Sequence, residues 1–480
     1  MYRDEDFSLK ILENIKKIKP YSSEKYSCDD IGTAALFSDL CKDNIRFSSK
    51  NNCWYLWDRC WKKQEDGSII FEIVQKILNV LITYCNGDFE KPDFELVEKY
   101  RKYISSIRKY TSIRNISELM KSTLKINLSE MDTDTYIINT PEMAFNLLTG
   151  ETLDNTKPFN ITKMTLCSLP SETDSLCERW LQFIDEIMSG DNEKAKFLQR
   201  ALGYSILGAN NEECMFVAYG AKTRNGKGTL FSSIAAALGQ DYIDSASSDL
   251  ICETKSGKGM NYNAPQPALA KLVGARIVRM SENSRDVRLD VSSIKILTGR
   301  DALVTRALFQ NSFTFIPQFT MWLETNHLPA VTDDTIFASN RIFVIEFNEH
   351  FTEERQDKSL KDFFAKPENK PTILKWLFDG CKDYLSQGLN PPECVIRSTQ
   401  NYRRLHDRIG NFIESQCAVG DNFKVQRGFL YSAYSSWCAL PENKFKPLGS
   451  TTFYNEIANR GFPIKHCNNG DFFSGISCNQ

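Results

Sequence analysis

MFVAYGAKTRNGKGTLFSSIAAAL, residues 215–238, reads as a buried strand, a loop with three glycines and an Ala-rich helix. Glycines let a backbone wrap closely around phosphate oxygens, and the first N–H groups of the following helix point at the same place. Lys227 is placed to reach the outer phosphates as a point charge. A Gly-Lys pair alone is a weak signal, but a strand before it and a helix after it are the context that gives it meaning. Gly220, Asn225, Gly226, Lys227, Gly228 and Thr229 are therefore expected to hold the phosphates of a nucleotide. Two departures from the generic loop stand out. Five residues rather than four separate Gly220 from Gly226, and Gly228 stands where a magnesium-ligating Ser or Thr is usual. Thr229 follows one step later and is the expected substitute ligand.

Two more strands on the C-terminal side carry polar tips. Ala275-Arg-Ile-Val-Arg-Met280 runs into Ser281-Glu282-Asn283. A carboxylate at a strand tip beside a phosphate loop polarises the attacking water or holds the metal, the role expected of Glu282. Phe319-Thr-Met-Trp-Leu323 runs into Glu324-Thr-Asn326-His-Leu-Pro329. Asn326 is placed to orient the lytic water. Alternation of strand and helix signals from Met215 to about Phe347 predicts a mostly parallel α/β sheet.

These strand tips, in this order, resemble the superfamily 3 helicases, a branch of the AAA+ ATPases. The resemblance is nearest to the C-terminal helicase region of phage and plasmid primases, related to poxvirus-type primase-helicases. YGAKTRNGKGT is similar to the Walker A motif of that group and LAKLVGARIVRMSE to its Walker B. IKILTGRDALVTRALF resembles the motif between B and C, ETNHLP resembles motif C, and SNRIFVIEF resembles the arginine-finger segment, with Arg341 alone where relatives often carry two arginines. Upstream, DIGTAALF, WYLWDRCW and DTDTYIINTP resemble the N-terminal domain of the group, and FLQRALGYSILGAN its helical lead-in.

The resemblance implies an ATP-dependent replicative DNA helicase using ATP and magnesium, the latter held by Thr229 and Glu282. It implies subunits in a ring, a hexamer in relatives, with Arg341 of one subunit reaching the γ-phosphate of its neighbour. Single-stranded DNA would thread the ring, contacted by a hairpin between the second and third strands, whose halves are Leu303–Phe309 and Ser312–Ile316. Lys295, Arg300 and Arg306 are candidate phosphate contacts there, or structural ion-pair partners. Forked DNA, a separate primase and host replication proteins are the partners implied. Two rivals remain open: a ring ATPase that initiates replication or loads a helicase without unwinding, and a non-enzymatic initiator resting on its C-terminal module. A small-molecule kinase has no use for residues 294–309 or for that module.

The expected organisation is an N-terminal mixed α/β domain (1–138), a helical lead-in (139–210), the ATPase core with a helical lid (211–400) and a C-terminal module (401–480). The last reads as three helices, Ile409–Cys417, Gly428–Trp437 and Thr451–Arg460, then a hairpin turning at Asn469-Gly470, the outline of a winged helix. Arg427, Lys444, Lys446, Arg460 and Lys465 are its candidate DNA contacts. WYLWDRCW reads as one alternating strand, and the basic stretch Lys99–Lys125 as either a solvated helix face or a nucleic-acid contact.

With 480 residues, 41% of them hydrophobic and 25% charged, the chain has the composition of a globular protein of several domains. A net charge of -2 excludes a histone-like polycation but not a motor with basic residues confined to a channel. Fifteen cysteines without a Cys-x-x-Cys pair, and four histidines without zinc spacing, read as reduced cytosolic thiols. No signal peptide or membrane span is expected, and the location expected is cytoplasmic. Asp132-Thr-Asp134 tempts a primase reading, but no histidine precedes His327, so the pair reads as structural.

Overall fold

The computed structural model describes residues 5–154, 157–171, 175–253, 265–281, 287–306, 312–331, 335–441, 447–467 and 470–478. Its centre is a five-stranded sheet. The strands are β1 (Met215–Tyr219), β2 (Ile243–Ser247), β3 (Ile277–Ser281), β4 (Thr320–Thr325) and β5 (Ile342–Glu346). They lie in the order β5-β1-β4-β3-β2, and every neighbouring pair is parallel. Parallel strands need crossovers, which bury both faces, so all but the edge strand β2, IDSAS, read as mostly apolar runs.

The two-residue period of a strand divides those apolar side chains between two cores. Phe216, Ala218, Trp322 and Ile345 face α1 (Asn192–Ile206), α2 (Lys227–Leu238) and α4 (Lys370–Gln387), with α3 (Leu360–Phe364) packed on the same side. Met215, Val217, Val278, Met321 and Leu323 face the other way, with Ile294, Leu297 and Tyr402. Asp191 starts α1 by accepting the Lys194 amide at 3.0 Å. The expected break before it is real: Ser189 and Gly190 both take positive φ, at 57° and 73°. Trp180, Phe183 and Ile187 join the first core, so the expected lead-in packs as part of the wall of the sheet.

The N-terminal core runs from Phe7 to Leu124 and is separate from the sheet. Here the expectation of one alternating strand over WYLWDRCW fails. The segment folds on itself, Cys53–Trp57 pairing antiparallel with Trp61–Gln64 and Arg59 turning at φ 62°. All five residues of the first strand are buried, so alternation there did not mark a solvent face. The basic stretch becomes two helices, Lys91–Ser106 and Tyr110–Thr123. Arg101 is tied to Glu98, Arg108 to Asn79 and Lys121 to Glu118, all within the N-terminal core's own helices.

The C-terminal core gathers Ile409, Phe412, Leu430, Tyr434, Trp437, Phe453 and Phe473. Its three helices are Arg408–Gln416, Arg427–Ala439 and Ser450–Asn459, and the hairpin strands Ile464–Cys467 and Gly470–Cys478 follow. A third strand, Cys417–Gln426, was not expected. It pairs with Gly470–Cys478, and its mostly exposed, Gly-Asp-Asn-interrupted sequence hides it from any apolar period. Residue 469 lies outside the described residues.

Trp322 is fully buried, stacks on Phe216 at 4.6 Å and donates its indole N–H to Ser205 Oγ at 3.0 Å. Trp322→Ala is expected to cost about 3–5 kcal/mol, read from urea unfolding of the purified chain.

Candidate functional site

The site lies where open parallel sheets place theirs, at the carboxyl ends of the strands. Register aligns three tips: Thr325 of β4 beside Tyr219 of β1, and Glu324 beside Ser281 of β3. The glycine-rich loop leaves β1 at Tyr219 and is pinned at once, the Gly220 amide donating to the Thr325 carbonyl at 3.1 Å. Asn225 Nδ2 closes the loop by donating to the Lys222 carbonyl at 2.6 Å.

The segment after β5 straps the loop from outside. Phe351 N donates to the Arg224 carbonyl at 2.9 Å, and His350 Nδ1 lies 2.8 Å from the Thr223 carbonyl. A carbonyl only accepts, so that ring nitrogen carries the proton. Arg224 itself sits at φ 59°, where the residue that widens the loop is absorbed. Two glycines are required by geometry. A Cβ on Gly220 would lie 2.1 Å from Asn225 Nδ2 and 2.9 Å from Lys227 Nζ. Gly226 holds φ 87° as the residue before α2, with Ile187 Cγ2 2.2 Å from where its Cβ would be.

Lys227 begins α2 and is 7% exposed. Its ammonium donates to Asn326 Oδ1 at 3.0 Å, which brings together two of the residues read from the sequence. Burial pushes its pKa down to about 8, opposed by the negative charge of Glu324. Glu324 is in turn pushed up by burial and held down chiefly by Arg279, whose Nη2 lies 2.8 Å away. The Arg279 guanidinium also lies 5.2 Å over the Phe231 ring. Glu324 and Arg279 were missed as site residues. A charge inside each of two apolar strands, IVRMS and TMWLET, was the available signal, because such charges are seldom buried unless paired.

The other expected residues are spread more widely. Glu282 follows the last residue of β3 and lies outside the described residues. Thr229 is half-buried in the first turn of α2, and Gly228 offers no hydroxyl beside it. Arg341 precedes β5 at the opposite end of the sheet, roughly 16 Å along the strand from the tips. There it donates to the Glu213 carboxylate at 2.5 Å and to Thr298 Oγ1 at 2.8 Å. The expected hairpin forms, but shorter: Leu303–Thr305 pairs with Phe313–Phe315, and residues 307–311 lie outside the described residues. Arg300 and Arg306 are exposed at its base, whereas Lys295 is half-buried and donates to Thr335 Oγ1 at 2.9 Å.

Asp132 accepts from the Thr162 amide at 2.7 Å and Asp134 from that of Tyr136 at 3.0 Å, consistent with a structural pair. No group of three or more metal-ligating side chains occurs among the described residues. In the C-terminal module, Arg460 makes two bonds to Asp407 at 2.7 and 2.8 Å, and Arg427 pairs with Asp471 at 3.1 Å. Lys444 and Lys446 lie outside the described residues, and Lys465 is exposed.

Parts of the chain are similar to known proteins. Residues 34–189 match the family described as D5 N terminal like, and residues 405–470 the family described as Poxvirus D5 protein-like. Regions toward both ends of the chain are thus similar to D5-type families, the resemblance that its motifs implied. Three similar relatives all bear the name "putative helicase". One from Acanthamoeba polyphaga mimivirus is 26% identical over 52% of this chain, and one from Frog virus 3 (isolate Goorha) is 21% identical over 56%. One from Sputnik virophage is 26% identical over 42%. The matches span 27%, 28% and 27% of those proteins, about a quarter of their length. Two apo structures of the NrS-1 C terminal region superpose with TM-scores of 0.49 and 0.47 at 12% identity. They cover 93% and 91% of this chain, and 99% and 96% of theirs.

Arg279→Ala removes the partner of Glu324 and is expected to destabilise the fold by about 3 kcal/mol at neutral pH. The carboxyl pKa then rises further above its unfolded value. The variant's deficit should therefore be small below the ordinary carboxylate range and grow as pH rises through the raised value. Urea unfolding at pH 5 and pH 8 measures the difference.

Proposed function

We propose that this chain is an ATP-driven DNA helicase of the superfamily 3 type, acting on single-stranded and forked DNA during replication. The observation that carries this reading is the buried Lys227 ammonium, joined to Asn326 across the strand tips. A lysine this desolvated is costly without an anionic ligand, and the loop around it is shaped for phosphate. The sheet order supports an AAA+ core, because β4 with its Asn tip lies between the loop strand and β3.

In this mechanism the amides of Gly220–Thr229 cradle the phosphates of ATP, and Lys227 exchanges Asn326 for their outer oxygens. Asn326, released, orients the lytic water toward the γ-phosphate. Glu282, leading out of β3, is the proposed base. Magnesium would supply charge neutralisation at the β- and γ-phosphates, with Thr229 and Glu282 the residues proposed to hold it. Arg341 is too far from the loop of its own chain to serve it, which favours action on a neighbouring subunit in a ring. That role requires it to leave Glu213 and Thr298. Arg300 and Arg306 are the proposed DNA contacts at the hairpin base; Lys295, held by Thr335, positions that base instead.

The runner-up, a ring ATPase that initiates or loads without unwinding, uses the same site. A non-enzymatic initiator is disfavoured by the pairing of Arg427 with Asp471 and of Arg460 with Asp407, which engages two of the candidate DNA-contacting arginines. No described helix is long and apolar enough to cross a membrane.

Lys227→Ala is expected to lower ATP turnover at least about a hundredfold while leaving thermal unfolding unchanged or raised, since it deletes a desolvated charge. Wild type should displace a strand from forked DNA only with ATP. Unaltered hydrolysis in the variant contradicts an enzyme at this site, and hydrolysis without displacement favours the loader.

A further inference from the structure

Gly228 is the position from which a Ser or Thr would point toward the β- and γ-phosphates, and its missing side chain leaves that direction open. What fills the direction is Lys361. Its Nζ lies 3.8 Å from the ideal Cβ position of Gly228, nearer than any other atom outside the neighbouring residues and the helix's own backbone. The lysine belongs to α3, whose seating is rigid: Phe364 is fully buried with its ring edge-on to Trp180 at 5.1 Å, and Leu360 is buried beside it. A flexible stem therefore projects from a fixed base over the first turn of α2. Among the described residues no hydrogen bond or ion pair holds the Lys361 ammonium. It is close enough to Glu324 to help hold that carboxyl's pKa down, so it shares the electrostatic field of Lys227.

We propose that Lys361 is a second phosphate-binding cation of this site, contacting the β- and γ-phosphate oxygens of ATP on the side left open by Gly228. The inference rests on the ATP reading above and deepens it. With no side chain at residue 228, the ammonium approaches the first turn of α2 without a hydroxyl beside it, so the glycine and the lysine form one arrangement. A loop with Ser there would bring a metal ligand; this loop brings a positive charge from the segment that straps it. Because Lys361 and the strap residues His350 and Phe351 all follow β5, the same stretch of chain that shapes the loop would close over its ligand.

The test is equilibrium binding of ATP and ADP to the full chain, in wild type, Lys361→Gln, Lys361→Arg and Lys227→Ala. Loss of a charge-assisted contact should raise the Kd for ATP about tenfold in Lys361→Gln, with a smaller rise for ADP. Lys361→Arg should restore ATP binding to within about threefold, with thermal unfolding of both variants matching wild type, since residue 361 is exposed. An ATP Kd in Lys361→Gln within twofold of wild type, with binding lost in Lys227→Ala, overturns this inference and spares the ATP reading. Full ATP binding in Lys227→Ala overturns both. A loss in Lys361→Gln that arginine does not restore, or that equals the loss for ADP, also overturns it.

Discussion

The constraint on which this structure turns is a buried ammonium. Lys227 has to stand at the start of a helix, under a loop, with almost no water around it. An uncompensated charge in such a place is costly, so the surroundings are organised to offset it. Asn326 accepts a hydrogen bond from it, Glu324 supplies opposite charge, and Arg279 offsets part of the burial that pushes the Glu324 carboxyl's pKa up. These partners come from β3 and β4, which explains why strand order matters: any other neighbour beside β1 would leave the lysine without its acceptor.

The wider loop follows from the same arrangement. An extra residue between Gly220 and Gly226 would loosen an unsupported turn, yet here the loop's carbonyls are held by the His350 ring and the Phe351 amide, and by the Asn225 amide inside. Gly220 is small because Asn225 and Lys227 occupy the space its side chain would need. The loop, the strap after β5 and α3 thus act as one shell around the lysine, and the strap supplies a second cation where the loop lacks a hydroxyl.

Much of this was legible in the amino-acid order, for physical reasons that differ by element. The central strands were readable because parallel sheets bury both faces, and the loop because few sequences place Gly-Lys between a strand and a helix. Arg279 and Glu324 were visible as odd charges, but their pairing depends on β3 lying beside β4, which no local pattern encodes. Lys361 is more than a hundred residues from Lys227, and only the packing of α3 on α2 unites them. Arg341 was legible as the residue opening the last strand; its anchorage to Glu213 was not, since that acid precedes β1 in an unpatterned turn. The strand Cys417–Gln426 escaped because most of it faces water.

The central claim is that the lysine and its shell form the ATP site of a DNA motor. The most direct measurement is the ATPase rate of the full chain with and without single-stranded DNA, on material whose mass is determined by light scattering. The account predicts an oligomer whose turnover rises severalfold when DNA is added. A monomer whose turnover is indifferent to DNA would contradict it.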